Sequence, residues 1–325
     1  MKEVEMKMLE RAKALLESGE VARVIGWKKG DFCYDPSPAS FESVEELNDF
    51  VYDWFCGANL SKYLIAMSKK EGKTAVFLKP CDTYSFNQLV KEHRIQRENV
   101  YVIAVECLGK LDIEKIKAKG VSFVTGVEVE GKQVKVSSLY GEETLNKPEI
   151  VLSKCEVCDK THQAKDEEII VHERPARNVN RFEEVEKLEA MTEEERFAFW
   201  RAQLSKCIRC NACRNVCPAC SCVKCVFDNP ASGIAAKAND SEFEENMFHL
   251  IRAYHVAGRC TDCGECSRVC PQNIPLHLLN RKFIKDIDGL YGEYQAGETA
   301  EGATPLTSYK EGDCEPNDVF NGEAK

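Results

Sequence analysis

Along the first half of the chain, apolar residues follow two alternating rhythms. Residues 2–18, 43–55 and 60–71 place them at helical spacing, whereas 74–80 (TAVFLKP) is a short apolar run of the kind that makes a buried strand. Residues 84–95 return to the helical rhythm, and 99–107 (NVYVIAVEC) is the strongest strand signal in the sequence. Helix, strand, helix and strand in succession predict an α/β domain with a mostly parallel sheet, because parallel neighbours need a crossover between them. Two further β-type runs, 121–131 and 132–141, meet at Gly131 and predict a hairpin. The domain is expected to span 1–160.

From Met191 the pattern becomes helices separated by cysteine-rich loops. Thr192 precedes three glutamates that suit the first turn of a helix running past Trp200. A Ser241 start and a Gly258 end bracket a second amphipathic helix, and a third follows Pro275. An all-α domain is therefore expected over 191–290. Residues 161–190, rich in Lys, Asp, Glu and Arg, read as a charged surface connector. The acidic, Gly-rich stretch 291–325 reads as a tail that is disordered or draped on a partner.

The formal charge of −10 argues against nucleic acid or an anionic membrane as the main partner, since both are bound through excess Lys and Arg. No run of about 18 apolar residues occurs, and the charged amphipathic start lacks a signal-peptide core, so a cytoplasmic protein with no membrane span is expected. In that setting 18 cysteines point to metal ligation rather than a disulfide scaffold.

Their spacing is specific. Cys207, Cys210, Cys213 and Cys217-Pro, then Cys260, Cys263, Cys266 and Cys270-Pro, each spell C-x₂-C-x₂-C-x₃-C-P. Three thiolates in a tight loop reach three corners of one [4Fe–4S] cluster, and the fourth cysteine serves the other cluster. The expected sets are Cys207, Cys210, Cys213 and Cys270 for one, and Cys260, Cys263, Cys266 and Cys217 for the other. Zinc also takes four thiolates, but its sites use paired knuckles rather than a triplet followed by Cys-Pro. Thiolate-bound clusters are oxygen-sensitive as a class, which suits an anaerobic owner. The frames stand 43 residues apart with a helix between them, unlike a compact ferredoxin. Residues 191–290 thus resemble the helical two-cluster ferredoxin domain of succinate dehydrogenase iron–sulfur subunits and of the C-type subunits of heterodisulfide reductase.

Outside the frames, Cys155 and Cys158 form a ligand pair and Cys107 closes a predicted strand, where sites on parallel sheets commonly open. With Cys81 or Cys56 they are expected to hold a third [4Fe–4S] cluster; a zinc site or buried free thiols are the alternatives. Cys220, Cys222 and Cys225 are dense enough to suggest a ligand role, whereas Cys33 and Cys314 carry no such pattern. His93, His162, His172, His249, His255 and His277 are scattered, and each reads as a surface or satisfied core residue.

Lys79-Pro80-Cys81-Asp82 opening a helix, with Cys107 and Gly109 after the next strand, is similar to the beta-subunit family of coenzyme F420-reducing hydrogenases and F420-linked or formate dehydrogenases. The resemblance spans about residues 20–160. It implies a flavin-capable module, with FAD as cofactor, passing electrons between a deazaflavin, nicotinamide or protein donor and iron–sulfur clusters. Here the ferredoxin domain follows the module, a departure from the family's order, and no G-x-G-x-x-G follows any predicted strand. No catalytic residue is identified, nor any nickel-ligand pair or molybdopterin-type signature. The expected function is an electron-transfer subunit of a multi-subunit oxidoreductase of hydrogenase, formate dehydrogenase or heterodisulfide reductase type, with the other subunits of that redox complex as partners. The alternative is a flavin-bearing subunit that itself oxidises or reduces a diffusible carrier such as F420, NAD(P)H or ferredoxin.

Overall fold

The apolar run at 74–78 becomes the middle of a five-stranded sheet. A computed structural model describes residues 1–158, 168–170, 178–232, 241–308 and 311. The chain divides into one unit of Met1–Phe86 with His93–Val179 and a second of Asn87–Glu92 with Asn180–Lys325. His162, His172, Cys314, parts of the expected connector and the end of the expected tail lie outside the described residues.

The first unit opens with helix α1 (Lys2–Glu17), then strands β1 (Arg23–Lys28) and β2 (Ser37–Phe41). A short helix α2 (Leu64–Met67), β3 (Thr74–Leu78), α3 (Pro80–Lys91) and β4 (Val100–Val105) follow. Strand order is β2-β1-β3-β4-β8, where β8 is Glu168–Ile170. Only the β2 edge is antiparallel; β1, β3, β4 and β8 run parallel. Every residue of β3 is buried, and all of β4 except Tyr101, as expected of a sheet covered on both faces. This is the expected α/β arrangement.

Several elements differ from expectation. Instead of a helix over 43–55, only a 3₁₀ turn forms at Glu45–Asp49. Phe50 and Val51 are drawn out alongside β1, with Val51 N–H donating to the Trp27 carbonyl at 2.9 Å. Their aromatic and β-branched side chains gain more from the core than from a helix surface. The 60–71 helix shrinks to α2 behind a single 3₁₀ turn. Helix α3 starts at Pro80, four residues early, since a proline at the first helical position loses no hydrogen bond.

The hairpin forms as β5 (Val124–Glu130) and β6 (Gln133–Ser138), joined by the unforeseen β7 (Gly141–Asn146). With α4 (Ile113–Ala118) these strands enclose a small core of Leu111, Ile116, Val134, Val136 and Ile150. Helix α5 (Ser153–Glu156) then returns the chain towards β4. The stretch expected as connector contributes β8, in register with Ile103–Val105, and α6 (Glu183–Glu189), so its described parts are structured.

The second unit is helical, as expected: α7 (Glu193–Leu204), α8 (Ala212–Val216), α9 (Glu242–Val256), α10 (Glu265–Arg268) and α11 (Leu276–Tyr291). Thr192 and Glu195 form a reciprocal capping box at the start of α7. The core gathers Leu204, Ala253, Ile274, Leu276 and Leu279 around Cys213 and Cys266. Contrary to a wholly loose tail, Ala296 and Thr304 are buried and Pro305–Thr307 makes a 3₁₀ turn. Among the described residues no helix is long and apolar enough to cross a membrane.

Candidate metal centres

The two cysteine frames fold alike. In each, the residues on either side of the middle cysteine adopt positive φ: Arg209 at 51° and Asn211 at 61° around Cys210, Asp262 at 55° and Gly264 at 67° around Cys263. Two left-handed residues separated by one reverse the chain tightly, so three thiols two residues apart can face a common point. Each loop then enters a one-turn helix, α8 or α10, from that left-handed residue.

A buried ion pair holds each loop to a long helix, with opposite polarity in the two frames. Arg209 Nε donates to Glu245 on α9 at 2.7 Å; Asp262 accepts from Arg281 Nε on α11 at 2.9 and 3.1 Å. All four side chains are nearly buried. Such pairs fix geometry better than they add stability.

The loops of the two frames converge. One pocket is lined by Cys207, Cys210 and Cys213 from the first frame and Cys270 from the second, with Phe248, His249, Ile274 and Leu276 completing its wall. Cys217 instead packs beside Cys260 through Val256 and Ala219. Its charge is felt by Cys260 and Cys266.

Burial pushes the Cys207 thiol up to about 12, Cys266 to about 11, and Cys213 and Cys260 upward as well. Cys217 is the exception, drawn down to about 6 by a hydrogen bond from Cys220. Four cysteine thiols lining one pocket are the donor set a soft metal centre takes, because a bound metal ionises thiols outright. The residues present therefore fit [4Fe–4S] clusters.

Two further side chains, His249 and Arg252, reach these thiols from α9. His249 is 1% exposed, lines the pocket, and neither ring nitrogen has a hydrogen-bond partner. It is thus neither a surface nor a satisfied core residue. Burial, then Arg252 and Arg209, lower it to about 3, so the ring is neutral. One nitrogen of His249, the Cys207 sulfur and a Glu245 oxygen lie within 4.8 Å of one another. Arg252 is 2% exposed, its Nε and Nη1 have no partner, and its cation acts on Cys266, Cys213, Cys217 and Cys220. The signal for both was a polar residue on the apolar face of an amphipathic helix. The other histidines fit expectation where described: His93 and His255 are exposed, and His277 bonds Ser267.

In the first unit, Cys81 and Cys107 follow the adjacent strands β3 and β4 at the same, C-terminal, edge of the sheet. Gly109, at φ +88°, turns the chain back past Cys155, whose Cβ lies 4.0 Å from where a glycine Cβ would stand. The fields of Cys107 and Cys155 reach one another, as do those of Cys81 and Cys158. Cys56 bonds within its own loop, receiving Asp53 N–H at 3.3 Å and donating to Val51 O at 3.7 Å. Cys33 donates to the Val124 carbonyl, and Cys222 is exposed.

Three buried lysines pin that loop from three directions. Lys79 Nζ donates to Ala58 O at 2.7 Å, Lys110 Nζ to Asp53 O at 2.5 Å, and Lys154 Nζ to Gly57 O at 2.7 Å. Lys79 also lies over Trp27 and Lys110 over Tyr52, at 4.2 and 3.7 Å from the ring centres. Burial lowers Lys110, against the pull of Cys107 and Cys56. Only Lys79 stood in the motif noted above. A signal was nonetheless present, since each of these lysines lies within three residues of a candidate cysteine: Lys79 and Cys81, Cys107 and Lys110, Lys154 and Cys155.

Residues 203–274 match the family described as 4Fe-4S dicluster domain. The F420-dependent formate dehydrogenase subunit beta of Methanocaldococcus jannaschii is 25% identical, aligning 86% of this chain with 88% of its own. The F420-dependent formate dehydrogenase 1 subunit beta of Methanococcus maripaludis is 28% identical, with 85% and 87% covered. A solved chain of the F420-reducing [NiFe] hydrogenase complex from Methanosarcina barkeri superimposes at a TM-score of 0.37 and 14% identity, covering 47% of this chain and 62% of that one. Over most of its length the chain is similar to F420-dependent formate dehydrogenase beta subunits, and residues 203–274 match the 4Fe-4S dicluster domain.

Proposed function

We propose that this chain is the iron–sulfur electron-transfer subunit of a formate-dehydrogenase-type complex. One observation carries the reading: a single pocket collects three cysteines of one frame and the last cysteine of the other. On this reading Cys207, Cys210, Cys213 and Cys270 hold one [4Fe–4S] cluster, and Cys217, Cys260, Cys263 and Cys266 hold the second. When bound, the clusters supply one-electron carriers. The protein's part is to present thiols, exclude water and set the surrounding charge.

A third cluster falls to Cys107, Cys155 and Cys158, with Cys81 as fourth ligand. Cys81 is preferred over Cys56 because its field meets that of Cys158, while Cys56 is engaged within its own loop. The relatives are named F420-dependent, which supports a deazaflavin as the diffusible partner; FAD is the cofactor that the beta-subunit resemblance implies. Anaerobic iron, sulfide and flavin analysis tests all of this. About eight iron per chain answers to two clusters and about twelve to three. Stoichiometric zinc with little iron would overturn the assignment, and a chain without flavin would assign carrier chemistry to another subunit.

A further inference from the structure

Helix α9 passes the cysteine frames with two buried side chains that the fold leaves unsatisfied. His249 and Arg252 stand three residues apart, hence on one face of the helix. Neither His249 nitrogen has a partner, and Arg252 lacks one at Nε and at Nη1. Glu245, on the same helix, is engaged with Arg209 through Oε1. A buried cation with unpaired N–H groups is costly unless something anionic faces it. What faces this one is sulfur: Cys213 of the first frame, Cys266 of the second, and Cys217 between them. Of the two cysteine sets, it is the pocket of Cys207, Cys210, Cys213 and Cys270 that His249 lines. On the other side, Cys266 has a neutral neighbour, Asn280, whose amide nitrogen lies 3.7 Å from its sulfur.

We infer that Arg252 and His249 set the reduction potentials of the two centres, Arg252 acting on both and His249 on the one held by Cys207, Cys210, Cys213 and Cys270. The inference rests on the two-cluster reading proposed above. Thiolates and cluster sulfides carry the negative charge of such a centre, and the reduced form carries one charge more. N–H donors and a cation at the sulfurs therefore favour reduction and raise the potential. Arg252 contributes its full charge to both centres; His249, being neutral, contributes one N–H in either tautomer. Both are positioning residues that bind neither iron nor substrate.

The experiment uses the full chain prepared anaerobically, with iron and sulfide measured first and EPR-monitored potentiometric titration second. Dithionite is the electron donor, through mediators, and delivers one electron per centre with no bond made or broken at either residue. Arg252→Gln should move both midpoints to more negative values, and Arg252→Lys should restore most of the shift by returning the charge. His249→Phe should move one midpoint only, that of the EPR signal lost in Cys270→Ser.

Unchanged midpoints in an iron-replete Arg252→Gln, or equal shifts of both signals in His249→Phe, would overturn the inference. Loss of iron from both Arg252→Gln and Arg252→Lys, with helical circular dichroism retained, would give Arg252 a purely structural role and overturn it as well. If the unmodified chain holds no iron–sulfur clusters, the failure lies in the functional reading instead.

Discussion

Replacing Asp82 by asparagine should be among the most damaging isosteric changes in the first unit. The Asp82 carboxylate is fully buried, and it accepts from Lys79 Nζ, itself 1% exposed, at 2.8 Å. At that separation an effective dielectric constant of about 20 gives roughly 6 kcal/mol of attraction, which desolvation of both groups largely offsets. The asparagine amide keeps the shape but strands the ammonium, and removing one member of a buried pair typically costs about 3–5 kcal/mol. The Lys79 bond to Ala58 O and its position over Trp27 survive, which argues for the lower end, about 3 kcal/mol. Against a usual total of about 5–15 kcal/mol, urea unfolding should shift its midpoint clearly without a change in slope. The double variant Lys79→Met/Asp82→Asn should recover part of the loss. A second readout comes from Cys81, which burial and then the Asp82 charge push well up. Asp82→Asn should bring that thiol down, so alkylation of Cys81 should set in at lower pH than in the parent chain. A cost below about 1 kcal/mol in urea, or an unmoved alkylation profile, would refute the description of a buried, mutually dependent pair.

Cys217→Ser should abolish the EPR signal of the centre assigned to Cys260, Cys263 and Cys266 and spare the other; the reverse outcome contradicts the crossed ligation. Cys155→Ala and Cys158→Ala should each lower iron from about twelve to about eight per chain by colorimetric assay, and full retention would return these residues to structural thiols. Thr192→Ala removes one arm of a complete capping box and should cost about 1 kcal/mol in thermal unfolding of the helical unit. Burial holds Cys155 and Cys213 above the ordinary thiol value, so at neutral pH both keep their protons until a metal displaces them. Cobalt(II) affinity of the apo chain, read from the thiolate charge-transfer band, should accordingly rise at least about tenfold per pH unit between about 6.5 and 8.5; a flat profile would refute thiol ligation.

How much of this was legible depended on whether a residue's role is local. The strands at 74–78 and 100–105 announce themselves because nearly every position is buried and apolar. The frames announce themselves because ligand spacing is written into consecutive residues. By contrast, β2 (SPASF) carries a proline and β7 (GEETLN) is almost wholly exposed, so neither has a pattern of its own. Each is a strand only because a neighbour offers it hydrogen bonds. Proline is tolerated in β2 because that strand is the sheet edge. Gly26 in β1 is legible only afterwards: a Cβ there would stand 2.6 Å from the Phe50 ring, and Phe50 reaches that spot because residues 50–51 are extended rather than helical. The candidate sites divide the same way. The candidate ligand cysteines stand out by spacing, whereas Lys110, Lys154 and Arg252 carry no such pattern and are marked out only by their burial in the fold.

That burial is the property the two units share. A chain with a formal charge of −10 has anions to spare, yet the cations it buries deepest lie among cysteines. In the first unit they are three lysines whose single ammonium heads each take a carbonyl of the 53–58 loop, fixing that loop while their charge stays available to nearby thiols. In the second they are arginines: Arg209 and Arg281 are engaged by carboxylates that hold the cysteine loops in place, and Arg252 has Nε and Nη1 left over to face the sulfurs. An arginine suits that last position because its broad planar head can face several sulfurs at once, whereas an ammonium is a point charge on a flexible stem. Three of these cations, Lys79, Arg209 and Arg281, already have carboxylate partners, whereas Lys110 and Arg252 have cysteine sulfurs in their fields. On the cluster reading proposed above, thiolates held by a metal would supply those two cations with anionic neighbours, so both would favour the occupied form over the metal-free one.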